Sequence, residues 1–126
     1  MLVRGVFKDT NMAANLETHV RQESHAAVID LKGDIDGGSE DALQKAYAEA
    51  VVNKPGAVLL NFTDVNYINS KGIALIVMLL AQARKSSTRL LTTGLSPHYV
   101  EIFNITRLSD FMKMYPDEQS ALSQVS

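Results

Sequence analysis

From Leu16 onward the chain divides into apolar blocks separated by short polar punctuation, and the spacing inside the blocks switches between strand-like and helical. Leu16, Thr18 and Val20 interleave with Glu17, His19 and Arg21, the period of a half-exposed strand. Glu23-Ser24 reads as a turn, and Ala26 to Leu31 as a second strand close enough to the first for an antiparallel hairpin. Lys32 to Gly38 carries three glycines and two aspartates, which predicts a loop. Ser39, followed by Glu40 and Asp41, offers a cap and an acidic first turn for a helix to about Val52, with Leu43, Ala46, Tyr47 and Ala50 at helical spacing. Lys54-Pro55-Gly56 ends that helix. Ala57 to Phe62 is apolar almost throughout, as a central strand covered on both faces should be.

The stretch Tyr67-Ile68-Asn69-Ser70-Lys71-Gly72 separates this strand from the apolar run Ile73 to Ala81, so it reads as strand, turn, helix. Ser70 or Asn69 serves as the N-cap, because a short side-chain oxygen accepts a hydrogen bond from an unpaired first-turn N–H. The helix is apolar on every side through Ala81, which predicts a buried helix, and its last turns carry Gln82, Arg84 and Lys85. Arg89 to Thr93 is a further strand, suited to a parallel crossover. Ser96-Pro97 opens a helix to Phe103, Leu108, Phe111 and Met114 predict a short strand or turn anchored in the core, and Asp117-Glu118 opens a last helix to Leu122. Residues 1–15 read as a loose arm or extra edge strand. The sum is a single α/β (mixed α+β) domain, a mixed sheet of about 4–5 strands with about 4 helices packed on it.

Composition narrows the function classes. At 126 residues with 46% hydrophobic and 21% charged residues, the chain is one ordinary globular domain. A net charge of -2 gives no electrostatic footprint for nucleic acid or a membrane surface. Without cysteine there is no disulfide framework and no thiolate chemistry, which fits a reducing, cytoplasmic setting. The N-terminal residues contain no signal-peptide apolar core, and the run Ile73 to Ala81 is about half of a bilayer span.

Catalytic and metal chemistry find little support. Asp34 and Asp36 lie on a glycine-rich stretch, where carboxylates are turn formers more often than ligands. His19, His25 and His98 are scattered, with no metal or triad spacing, and Ser70 lacks the Gly-x-Ser-x-Gly surround of a nucleophile elbow. No enzyme activity, cofactor or metal is therefore expected. Ser70 itself, at the positive end of a helix dipole, is the place where this chain would carry an anion.

Several of these segments together resemble one family. Gly33-Asp34-Ile35-Asp36, the strand Val58 to Phe62 with Thr63-Asp64-Val65, Tyr67 to Ile73, and Gly94-Leu95-Ser96-Pro97 through Ile105-Thr106-Arg107-Leu108 are similar to the STAS domain, in its stand-alone form as a bacterial anti-sigma factor antagonist. The resemblance implies a STAS-like domain over 16–123 that binds an anti-sigma factor, itself a serine kinase of the histidine-kinase-like type, while Ser70 is unphosphorylated. It implies Ser70 as the phosphorylation site, a phosphatase as second partner, and a docking surface of Asp34, Asp36, Gly37, Asn69, Ser70, Lys71 and Gly72. The family pattern has Asp where this chain has Asn69 and Ser or Thr where it has Lys71. Both changes make the surroundings of Ser70 more hospitable to an anion, and both alter the surface a kinase reads. A STAS scaffold subunit without phosphorylation, in a larger assembly, and a sensor of a small anionic ligand at the Ser70 helix start are the alternatives. A monomer or weak dimer is expected, with no direct nucleic-acid or membrane partner.

Overall fold

The computed structural model describes residues 15–125. Its five-stranded sheet has the order β1 (Leu16–Gln22), β2 (Ala26–Ile35), β3 (Ala57–Ile68), β4 (Arg89–Thr93) and β5 (Lys113–Tyr115). β1 and β2 form the expected antiparallel hairpin, and β2 through β5 run parallel. The helices are α1 (Glu40–Ala50), α2 (Ser70–Lys85), α3 (Pro97–Ile105) and α4 (Glu118–Leu122). The arm expected over 1–15 lies outside the described residues except for Asn15.

The strand order explains where the helices lie. Each parallel connection steps to the next strand in the same direction, and crossovers of one hand then put their helices on the same face. Accordingly α1, α2 and α3 share a core with Ala27, Ile29, Val58, Leu60 and Leu90. On α1 the buried positions are Leu43, Ala46, Tyr47 and Ala50, one stripe of helical period. The opposite face receives the alternate strand residues Ala26, Val28, Ala57, Leu59 and Leu91, and α4 covers them with Ala121 and the partly buried Leu122. Being buried on both faces, Ala26 to Ile29 and Ala57 to Leu60 read as continuous apolar runs.

A short helix such as α4 has little apolar surface of its own, and an ion-pair network fastens it. Arg21 Nε and Nη2 donate to the Asp30 carboxylate at 2.7 and 2.9 Å, while Nη1 and Nη2 donate to Glu118 at 3.0 and 2.7 Å. Asn61 Nδ2 adds a bond to Asp30 Oδ1 at 2.8 Å. One guanidinium thus ties β1, β2 and α4 together, the bidentate geometry that makes arginine pairs specific.

Several expectations need correction. Lys32 to Ile35 is strand, not loop: β2 continues past Leu31 through register irregularities, with Gly33 at φ +110°, and only Gly37–Ser39 forms a tight 3-10 turn. The extra residues of these irregularities sit on β3, between Asn61 and Asp64 and between Val65 and Tyr67, so the ladder continues past Leu31, while the glycine at 33 permits the positive φ. β3 likewise runs beyond Phe62 to Ile68, outreaching β4, whose pairing stops where Asn61 meets Thr93. α2 is not buried all round, since Val77 and Met78 are 44% and 40% exposed. Nor is Phe111 a core residue: it is 55% exposed, and Met112 fills the core in its place.

Candidate functional site

β2 and β3 are parallel neighbours, with Ile35 opposite Ile68, so their carboxyl ends open at the same edge of the sheet. This brings the two separated segments of the predicted site together. Asp34 sits in β2, Asp36 caps the 3-10 turn and Gly37 opens it, while Asn69 to Gly72 form the entry to α2. Asn69 N–H donates to the Ile35 carbonyl at 3.1 Å, joining the two segments directly.

Asn69, not Ser70, is the helix cap. Its backbone is extended, its Oδ1 accepts from Gly72 N–H at 2.8 Å, and its carbonyl accepts from Ile73 N–H at 2.9 Å. Ser70 is the first helical residue; it is exposed, and its hydroxyl makes no hydrogen bond among the described residues. Of the first-turn donors, Asn69 and Gly72 N–H are used, which leaves those of Ser70 and Lys71 for solvent or a ligand.

Gly72 sets how closely α2 approaches the sheet. A Cβ there would fall on the carbonyl oxygen of Ile35 and stand 2.8 Å from its carbonyl carbon. The backbone contact is possible because glycine has no side chain. Lys71 lies over the 3-10 turn, its Cδ 3.1 Å from where a Cβ on Gly37 would be. Its aliphatic stem therefore covers Gly37, although Lys71 as a whole is exposed.

The Asp34 to Ser39 segment is held by its own hydrogen bonds. Asp36 Oδ1 accepts from Gly38 N–H at 2.9 Å, and Ser39 Oγ accepts from Asp36 N–H at 3.0 Å, a reciprocal capping box. Ser39 Oγ also donates to the Asp34 carbonyl at 3.3 Å. Ser39 was expected to cap α1, but its side chain makes no cap bond to that helix and serves this turn. Asn15 adds two more ties, accepting from Asp34 N–H at 3.0 Å and donating Nδ2–H to Asp36 Oδ2 at 3.2 Å.

One positioning residue escapes a reading of the sequence. The buried Tyr99 of α3 accepts from Ile68 N–H at 2.8 Å and donates to the Ile68 carbonyl at 3.4 Å. It pins the last residue of β3, one position before the cap, where β4 no longer supplies a partner strand. Ser96 supports it by accepting from Tyr99 N–H at 3.4 Å as the cap of α3. Tyr67, 53% exposed beside Asp34 in the sheet register, offers an aromatic ring at the same edge. No sequence signal linked Tyr99 to Ile68, whereas an aspartate three residues before Ser39 was a legible capping pattern.

Among the described residues no helix is long and apolar enough to cross a membrane, and no group of three or more acidic or histidine residues is arranged to hold a metal ion.

A single mixed sheet with helices on both faces, and an exposed serine at the start of the helix after its long central strand, defines a class. The STAS domain model matches residues 17–121, and the chain belongs to that family. It is 29% identical over 104 residues to the anti-sigma-B factor antagonist of Listeria monocytogenes, covering 82% of this chain and 90% of the relative. Its fold matches an anti-sigma factor antagonist from Mycobacterium paratuberculosis at a TM-score of 0.75, with 22% identity over 87% of this chain and 93% of the other. It also matches the Bacillus cell fate determinant SpoIIAA in its phosphorylated form at a TM-score of 0.68, with 18% identity over 87% of this chain and 100% of the other.

Proposed function

We propose that the protein is an anti-sigma factor antagonist, a binding module that docks on an anti-sigma factor while Ser70 is unmodified and releases it when Ser70 is phosphorylated. The observation that carries this reading is the division of labour at the α2 entry: Asn69 caps the helix, so the exposed Ser70 hydroxyl has no structural task. The family relationship and the name of the Listeria relative support it. The docking surface comprises Asp34, Asp36, Gly37, Asn69, Ser70, Lys71 and Gly72, with Tyr67 beside them. The partner is a serine kinase of the histidine-kinase-like type, and a phosphatase resets the switch.

The mechanism is local electrostatics. A phosphate brings nearly two negative charges, and at Ser70 it meets the helix dipole, the open Ser70 and Lys71 N–H groups and the Lys71 ammonium. The isolated domain therefore accommodates it. Sealed inside an interface, the same charge costs several kcal/mol of desolvation unless the partner pairs it. The fold persists while the complex is lost.

The test is to incubate the protein with its cognate kinase and ATP, then map the modified peptide. Phosphate on the peptide containing Ser70, abolished by Ser70→Ala, is the expected result. Stoichiometric phosphate elsewhere, or none with an active kinase that binds the protein, contradicts the reading.

A further inference from the structure

A second surface lies at the opposite end of α2. A groove with a volume of about 720 Å³ runs between the carboxyl half of α2 and the turn after α3. Its floor is apolar, built from Val77, Leu80 and Ala81 of α2 with Leu108 and Phe111 across from them. Its rim is cationic: Arg84, Lys85 and Arg107 line it, and Arg84 lies over the Phe111 ring at 4.8 Å from the centroid. Arg89 and Lys113 extend the positive field along an adjoining cavity of about 380 Å³ that shares Arg84 and Phe111. Against these five cations the only ion pair among the described residues is Arg107 to Asp110 at 2.7 Å.

We propose that this groove docks an acidic amphipathic helix of a partner protein. The apolar floor with a one-signed rim matches an acidic helix with one apolar stripe. The α2 part of the floor and rim, Val77 to Lys85, is about 12 Å long at 1.5 Å per residue, which suits about two turns of a bound helix. An extended strand fits less well, because the neighbouring edge strand β5 has three residues to pair with. Residues 1–14 of this chain do not suit the site either, since Arg4 and Lys8 outnumber Asp9 and would face a cationic rim.

The groove is separate from the Ser70 surface. Val77 to Lys85 lie about 10–22 Å along the helix from Ser70, beyond a Debye length of about 8 Å at physiological ionic strength. A phosphate at Ser70 therefore leaves the groove's affinity unchanged, and the groove can hold a partner through both states of the switch. The proposal does not depend on Ser70 being a phosphosite.

The probe is a fluorescein-labelled helical peptide with leucines at i, i+3, i+4 and i+7 and glutamates elsewhere, compared with the same peptide carrying lysines, on the full chain. Anisotropy should show binding of the glutamate peptide, at least tenfold weaker binding of the lysine peptide, and amide shift changes centred on Val77, Ala81, Leu108 and Phe111. Arg84→Gln with Lys85→Gln should weaken it at least tenfold, and Ala81→Arg, on an exposed helix position, should block it. Ser70→Asp should leave it within twofold. No binding of the glutamate peptide, equal binding of both peptides, shifts mapping elsewhere, or binding that appears only after removal of residues 1–14 overturns the proposal. So does sedimentation showing that Ala81→Arg abolishes a dimer of the wild-type chain, since a second copy would then be the occupant.

Discussion

Asn69 and Ser70 occupy adjacent positions with different tasks, and substitutions should separate them. Asn69→Ala removes the oxygen that accepts from Gly72 N–H, and should cost about 1 kcal/mol. Ser70→Ala removes an exposed hydroxyl without a partner, and should change stability by no more than about 0.5 kcal/mol. Urea unfolding of the two variants checks this; a larger loss for Ser70→Ala than for Asn69→Ala would reverse the assignment of the cap. Gly72→Ala should be more damaging than either, because its methyl would be driven into the Ile35 backbone. A loss of more than about 2 kcal/mol is expected there, since neither backbone segment can yield as a flexible side chain would.

The junctions that hold the site were the least legible part of the sequence. The helix after Ser70, the caps Ser96 and Asp117, and the apolar cores of β2 and β3 follow from period and punctuation. The ends of those two strands do not. Bulges in β3 between Asn61 and Asp64 and between Val65 and Tyr67 shift the alternation, and polar residues such as Thr63, Asp64 and Asn66 are tolerated because β3 there has outrun β4. Tyr99 replaces the missing strand at Ile68 by accepting its N–H. Tyr99→Phe should therefore cost about 1–3 kcal/mol, the penalty of an unsatisfied buried donor. It should also raise amide exchange at Ile68 and through the first turn of α2. Unchanged exchange at Ile68 would mean that the hydroxyl is incidental. The exposed stripe on α2 was hidden for a different reason: Val77 and Met78 are apolar, and composition alone cannot distinguish a covered face from an open one.

The sheet, with its three crossover helices on one face, leaves α4 to close the other, and Arg21 makes that closure depend on pH. Its guanidinium holds the Asp30 carboxyl below the ordinary carboxylate range, aided by Asn61 and opposed by burial. Arg21 itself is raised, chiefly by its hydrogen bonds to Asp30 and Glu118, and stays charged at every working pH. A carboxyl lowered on folding contributes stability that is fully present above its unfolded value of about 3.9 and is lost as pH falls through the folded value. Asp30→Asn should thus be less stable than the wild type at neutral pH, and the gap should close as pH drops below about 4. Unfolding midpoints measured against pH check it; a gap that stays constant to low pH would show that Asp30 acts without its charge. Arg21→Met should raise exchange in α4 while leaving partner binding at the Ser70 edge intact, because the network lies on the opposite sheet face from α1, α2 and α3.

The central claim is that charge at Ser70 controls binding without controlling the fold, and isothermal titration of the cognate anti-sigma factor against two variants tests it most directly. Ser70→Ala and Ser70→Asp should both retain the wild-type unfolding midpoint within the small range of an exposed first-turn position, the aspartate being favoured by a few tenths of a kcal/mol from the helix dipole. Their affinities should differ by at least about a hundredfold, roughly 2.7 kcal/mol, with Ser70→Ala binding as the unmodified protein does and Ser70→Asp the weaker. Equal affinities for two equally stable variants would contradict the account and leave Ser70 without a role in the switch.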